Sequence, residues 1–337
     1  MNNNHDIPVR LRRLRYHPTV RSLIRETKVT IEDLVLPIFV KSGFKIKNPI
    51  SSMPGHFQYS VDMLEEEINT ILDLGITTII VFGIPELKDE LGSDSYDQNG
   101  IVQQAVKKIK SIAPNLLVIS DICLCQYTDH GHCGILKNHD NIYNVDNDLT
   151  LDILAKQAVS HAAAGADILA PAGMIDGMVA VIRKALDEAG FSNLPILSYS
   201  VKYKSAMYGP FGIAAEGAAK IGDRSTYQMD PANSNEAIRE AMFDIEEGAD
   251  MLMIKPAHTY LDIIYKVKEN FPYIPVAAYQ VSGEYSMLKA AFQNGWLKEK
   301  DTVFEVLTSI KRAGADFIIS YFTKDVAKWC KSELNEK

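Results

Sequence analysis

No uninterrupted apolar run in the 337-residue sequence is long enough to span a bilayer, so a helical membrane protein is excluded. Positive charge is also in short supply. Lys and Arg number 35 against 43 Asp and Glu, the net charge is −8, and no long basic run follows the first residues. A nucleic acid is therefore not expected as the main partner. Only four cysteines occur, and three of them crowd together, which does not make a disulfide framework. A glycine-rich phosphate turn is missing too: the first strand-like run ends in Val40-Lys41-Ser42-Gly43-Phe44, which argues against an open doubly wound sheet. The polar start Met1-Asn2-Asn3-Asn4-His5 is unlike a secretory signal, and a cytoplasmic location is expected.

What is present is a rhythm. Strand-like runs at 34–40, 77–84, 116–124, 167–171, 195–202, 250–255, 275–281 and 316–322 alternate with amphipathic stretches at 63–74, 101–112, 151–163, 178–189, 236–247, 260–269, 285–293 and 302–312. The simplest closure of such an alternation is a (β/α)₈ barrel. Gly165-Ala166-Asp167, Gly248-Ala249-Asp250 and Gly314-Ala315-Asp316 repeat at helix-to-strand junctions, where glycine suits the turn out of a helix. Residues 34–337 thus read as one catalytic barrel. Residues 1–33 have no strand-helix unit. They interleave Arg10, Arg12, Arg13, Arg15, Arg21 and Arg25 with Val9, Leu11, Leu14, Leu23 and Ile24, and are expected to form an arm embracing a neighbouring subunit.

Two lysines carry the first chemical signal. Met251-Leu252-Met253-Ile254-Lys255-Pro256 drives an apolar strand into a cation, and Ser198-Tyr199-Ser200-Val201-Lys202 does the same. In a parallel barrel both strand ends lie at the catalytic mouth. Burial and mutual repulsion lower lysine pKa values there and make a neutral amine available to attack a carbonyl. The segments 125–150 and 203–235 exceed ordinary connections, and 203–235 is expected to close over the substrate.

The second signal is a metal loop. In extended chain Asp121, Cys123 and Cys125 share a face, and the following loop can return Cys133 as a third thiolate for zinc. Three protein ligands and an open position form a catalytic pattern, and a closed four-ligand knot is the structural alternative. Spacing does not decide whether His130 or His132 joins. Cys330, far away, is expected to be a packed or half-exposed thiol.

From about Arg10 to Trp329 the chain resembles the porphobilinogen synthase family, also called delta-aminolevulinic acid dehydratase. The resemblance lies in Asp121 to Gly134, Ser198 to Tyr203, Tyr208-Gly209-Pro210-Phe211, Gly222-Asp223-Arg224 with Tyr227-Gln228-Met229, Met253 to Pro256, and Tyr279-Gln280-Val281-Ser282-Gly283-Glu284-Tyr285. It implies a (β/α)₈ barrel with an N-terminal arm, assembled as a homo-octamer. The implied activity condenses two molecules of 5-aminolevulinate to porphobilinogen, with loss of two waters, in tetrapyrrole synthesis. Lys255 would form a Schiff base with the substrate that becomes the propionate side and Lys202 one with its partner, with Asp121 a candidate proton acceptor or lysine partner.

Zinc on Cys123, Cys125 and Cys133 would lie by the second substrate's amino group, where relatives with aspartates use magnesium or potassium. Ser282 and Tyr321 would hold one substrate carboxylate, and Arg224 and Gln228 the other. Tyr208, Phe211 and Tyr279 are expected to line the substrate site. Glu240 matches a residue that holds an allosteric hydrated magnesium between subunits. The chain departs from the family pattern at Gly212, where many relatives carry a second arginine, and Lys204 or Lys220 are candidates to compensate. Two competing readings are a class I aldolase, which needs one barrel lysine and no zinc thiolates, and a zinc-braced scaffold, in which both lysines are ordinary amines.

Overall fold

The computed structural model describes residues 7–139 and 142–335, so the polar start Met1–His5 lies outside the described residues. Eight parallel strands form the barrel: β1 (Leu34–Lys41), β2 (Thr78–Ile84), β3 (Leu117–Ile122), β4 (Ile168–Pro171), β5 (Leu197–Lys202), β6 (Met251–Lys255), β7 (Val276–Gln280) and β8 (Phe317–Ser320). They follow one another in chain order, and β8 pairs with β1 through Leu34 opposite Ile318. The last gap is narrow: Leu169 bridges Ile196, and the Leu169 N–H donates to the Pro195 carbonyl at 3.1 Å. The strands are apolar nearly throughout because helices cover one face and the barrel core the other.

Around the strands lie α1 (Pro18–Leu23), α2 (Leu64–Asp73), α3 (Ile101–Ile112), α4 (Asn147–Ala164), α5 (Met178–Glu188), α6 (Gly209–Ala214), α7 (Glu236–Glu246), α8 (Leu261–Asn270), α9 (Ser282–Gln293), α10 (Glu299–Ala313) and α11 (Thr323–Asn335). In α3 the buried residues Ile101, Val102, Ala105, Val106 and Ile109 fall at helical spacing on one face. The sequence rhythm is correct for the strands but needs one correction among the helices. Both α9 and α10 follow β7, and the eighth barrel helix is α11, which carries the half-buried Cys330. On α7 the inward face is Ala237, Ala241 and Asp244, while Met242 is exposed.

The repeated Gly-Ala-Asp triplet does the same job three times. Each glycine leaves its helix at positive φ, +101°, +106° and +123° for Gly165, Gly248 and Gly314, where a side chain would be strained. Each aspartate then accepts a hydrogen bond from the backbone of the preceding barrel strand or the residue leading into it: Asp167 from Val118 N at 2.7 Å, Asp250 from Ile196 N at 2.8 Å and Asp316 from Val276 N at 2.7 Å. These contacts brace the amino-terminal end of the barrel. At the other end Lys202, Lys255, Gln280 and Ser320 close their strands.

Among the described residues, 7–30 make a short 3₁₀ turn (Leu11–Leu14) and α1, and neither buries a residue. Val9, Leu11, Tyr16 and Leu23 are all more than half exposed.

Candidate active site

Lys202 and Lys255 are direct register partners on β5 and β6, so the fold sets the two amines side by side at the mouth. Both are buried, 4% and 6% exposed. The Lys202 ammonium donates to the Ala172 carbonyl at 2.5 Å, just past β4. Lys255 instead sits among rings, with Nζ 4.3 Å from the centre of Tyr279 and 5.1, 5.1 and 5.3 Å from Tyr199, Phe211 and Tyr208. Ring faces favour the cation, but loss of water matters more. Burial first, and then the charge of Lys202, pull the Lys255 pKa down to about 7, against the opposing charge of Asp121. A substantial neutral fraction is therefore present at neutral pH.

Asp121 ends β3 one residue before Ile122 and is 6% exposed. Burial raises its pKa, and the two lysines oppose that rise, Lys255 more than Lys202. Gln126 donates an amide hydrogen to its Oδ2 at 3.3 Å. Beside it stands Tyr199, whose buried hydroxyl interacts with the Asp121 carboxylate and helps to hold it ionised. Tyr199 was not a candidate from sequence, because strand alternation puts residues three apart on opposite faces. Between Leu252 and Ile254 of β6, two residues on, the register on β5 moves three, from Ser198 to Val201. That extra residue turns Tyr199 to the Lys202 side, its ring 5.7 Å from Lys202 Nζ. Ser198 points outward and donates to Asp244 on α7 at 2.6 Å.

The metal loop needs a correction in its local structure. Strand β3 stops at Ile122, so Cys123 lies beyond it and Cys125 sits in a turn. The sulfurs meet nonetheless. Cys123, Cys125 and Cys133 are buried, their Sγ atoms all lie within 4.8 Å of one another, and Cys123 and Cys125 are 3.3 Å apart. Cys133 ionises first: the thiols of Cys123 and Cys125 donate to its sulfur, and Arg224 and Lys202 add positive charge nearby. Cys123 and Cys125 are held protonated, Cys125 at about 11. Three buried soft donors with one ready thiolate fit a thiophilic dication, which would draw off the other two protons.

Neither histidine belongs to the sulfur group. Both ring nitrogens of His132 are engaged, Nδ1 with Tyr227 Oη at 3.1 Å and Nε2 with the Ile221 carbonyl at 2.7 Å, while His130 Nδ1 accepts from the His132 amide at 3.1 Å.

The remaining sequence candidates fall into three groups. At the ends of β7 and β8, the Tyr279 and Tyr321 hydroxyls are 3.1 Å apart, and Ser282 Oγ accepts from the Phe211 amide at 2.9 Å. From 203–235, Arg224 donates to the carbonyls of Gly131 at 2.9 Å and Gly217 at 2.6 Å, the buried Gln228 Nε2 has no partner, and Tyr208 Oη donates to the Tyr203 carbonyl at 2.7 Å. Lys204 pairs with Asp223 at 2.6 Å and donates to Ser225 Oγ at 2.5 Å. A Cβ at Gly212 would lie 3.3 Å from Ala218 Cβ.

Glu240 stands apart from the lysines. With Asp176 and Glu236 it lines a cavity of about 450 Å³, and burial followed by the charges of Asp244, Asp176 and Glu236 lifts its pKa to about 7.

Residues 8–329 match the profile of the family described as Delta-aminolevulinic acid dehydratase. The delta-aminolevulinic acid dehydratase of Halalkalibacterium halodurans is 55% identical over 324 residues, covering 96% of this chain and 97% of that one. The Bacillus subtilis enzyme of the same name is 54% identical over 320 residues, covering 95% and 97%. Among solved structures, the Toxoplasma gondii delta-aminolevulinic acid dehydratase (porphobilinogen synthase) in complex with the reaction product porphobilinogen superposes with a TM-score of 0.93 at 42% identity, covering 96% of this chain and 92% of that one.

Proposed function

The chain belongs to the delta-aminolevulinic acid dehydratase family, and from that premise we propose how its own residues perform the family's reaction. The enzyme condenses two molecules of 5-aminolevulinate to porphobilinogen, with loss of two waters, in tetrapyrrole biosynthesis. The single observation that supports the mechanism best is the register pairing of two buried lysines beside three convergent thiols.

Each lysine adds as a neutral amine to the ketone of one substrate and expels one water, leaving two imines; these are the two waters of the overall reaction. Lys255 takes the substrate that becomes the propionate side, and Lys202 takes its partner. A carbon beside one imine loses a proton and bonds to the imine carbon of the other substrate. The free amino group of the propionate-side molecule closes the ring on the remaining imine carbon, and each lysine leaves as an amine. Asp121, whose pKa burial raises, is placed to exchange protons with either lysine. Tyr199, Tyr208, Phe211 and Tyr279 keep water from Lys255. A zinc ion held by Cys123, Cys125 and Cys133 would supply Lewis acidity beside the second substrate's amino group.

Ser282 and Tyr321 bind one carboxylate. Arg224 and the unpartnered Gln228 amide bind the other, and 203–235 acts as the lid that brings them there. Glu240 would hold a hydrated magnesium ion, which would relieve the repulsion it shares with Asp244, Asp176 and Glu236. The apolar residues exposed before Ile31 form the arm of a homo-octamer, covered by a neighbouring subunit. Among the described residues no helix is long and apolar enough to cross a membrane, and we place the enzyme in the cytoplasm.

The purified protein should convert two equivalents of 5-aminolevulinate to one of porphobilinogen in the colour assay for the pyrrole. No pyrrole from zinc-loaded protein would reject the assignment.

The pH dependence follows from Lys255. Its folded pKa, about 7, lies below the usual 10.5. Between these values the folded state binds fewer protons than the unfolded one, so this group makes stability rise with pH across that window, and its full cost is felt below 7. The reactive amine follows the same curve. Turnover should therefore have an acid limb near pH 7, and Lys202→Met, which removes the like charge, should raise the pKa of Lys255. The check is the pH dependence of imine formation at Lys255 in both proteins, and an unmoved profile would remove the electrostatic coupling from the mechanism.

A further inference from the structure

We propose that Glu284 is a positioning residue for this reaction: one buried carboxylate ties the strand end that carries Lys255 to the strand end that carries Ser282. The proposal rests on the Schiff-base reading given for Lys255.

Glu284 lies in the first turn of α9, inside Tyr279-Gln280-Val281-Ser282-Gly283-Glu284-Tyr285, and has no role in the mechanism described for that segment. It is fully buried, at 0% exposure. A glutamate at the third position of a helix commonly turns back to cap its own first amide, and one oxygen does so: Oε2 accepts from Val281 N at 2.8 Å. The other oxygen does something that capping does not require. Oε1 accepts from His258 N at 2.7 Å, three residues beyond Lys255, and the Ala257 and Thr259 amides also act on the carboxylate. Burial raises its pKa to about 7, and these amides work in the opposite direction because they bond best to the ionised form.

Both tethered ends face substrate. On the β6 side, the turn that Glu284 holds follows the Lys255 backbone, whose carbonyl also accepts from Tyr208 Oη at 3.2 Å. On the β7 side, the turn contains Ser282, bonded to the Phe211 amide at 2.9 Å, and the Phe211 ring lies 5.1 Å from Lys255 Nζ. The same helix turn is pressed against the start of 203–235, since a Cβ at Gly283 would come within 2.5 Å of the Met207 carbonyl oxygen. Beyond the last β6–β7 register pair, Ile254 with Ala278, the carboxylate of Glu284 joins the turn after Lys255 directly to the turn that carries Ser282. Misplacement of reacting groups by about 1 Å costs roughly 100-fold in rate.

Glu284→Gln keeps the length and one acceptor oxygen but turns an N–H donor against the amides, so one tether is lost. In the zinc-loaded enzyme it should lower kcat about 10- to 100-fold with KM changed less than about threefold. Borohydride-trapped 5-aminolevulinate adduct at Lys255 should form at least about tenfold more slowly, while adduct at Lys202 keeps its rate within about twofold. Glu284→Asp, too short to reach both segments, should behave similarly and serves if the glutamine variant does not fold. Adduct at Lys255 appearing at the wild-type rate, or slowed equally at both lysines, would overturn the proposal. Wild-type enzyme giving no adduct at Lys255 would instead overturn the Schiff-base reading itself, and the two failures are told apart by that control.

Discussion

Lys255→Met should abolish porphobilinogen formation, by roughly 10⁴-fold or more, while the barrel stays folded. The size of the loss follows from covalent chemistry, since no neighbouring group replaces a primary amine that must add to a ketone and later leave. In the proposed mechanism the Lys202 amine is taken up by the other substrate, and in the structure it is bonded to the Ala172 carbonyl. The fold should survive because the methionine enters a site already lined by Tyr199, Tyr208, Phe211 and Tyr279. The stability change even has a sign. Lys255 is lowered to a pKa of about 7, so the wild-type protein bears the cost of a buried cation below that pH and is freed of it toward 10.5. The methionine variant should gain stability over wild type at pH 6 and lose that advantage at pH 10, as measured by denaturant midpoints. Retained turnover would remove Lys255 from the mechanism.

Removal of zinc is expected to lower turnover roughly 100-fold or more, and zinc restores it where magnesium does not. The donor set supports this reading: three thiols whose sulfurs lie within 4.8 Å of one another suit a soft or borderline dication, and among the described residues no carboxylate joins them to suit a hard one. Without a dication only Cys133 ionises readily, while Cys123 and Cys125 keep their protons. Cys133→Ser should therefore lose bound zinc as well as activity, counted as metal per chain after dialysis. Full activity in protein verified to be free of zinc would contradict the role given to these cysteines.

The strands and the two lysines were legible because their signals are local: apolar runs of strand length that end in a cation, at a barrel mouth that topology then brings together. The Gly-Ala-Asp repeat was legible as a pattern but not as a function. That each aspartate reaches an amide near the start of the preceding barrel strand depends on the closed barrel. Three features were hidden for identifiable reasons. Tyr199 enters the cavity through an extra residue in β5, which periodicity cannot register. Cys123 and Cys125 read as strand residues, yet β3 ends at Ile122, and the thiols converge through a turn instead of alternation. The eighth barrel helix was credited to the wrong segment because α9 and α10 are both amphipathic and lie in a row before β8. The residue types needed for the chemistry were visible throughout; the contacts that aim them depend on chain segments far apart in sequence.

The most direct test of the account is to reduce the zinc-loaded enzyme with borohydride during turnover of 5-aminolevulinate and map the modified peptides. Two buried amines paired in one cavity predict stable adducts at Lys255 and at Lys202 and at no exposed lysine. Adducts at neither, or modification spread over surface lysines alone, would contradict it.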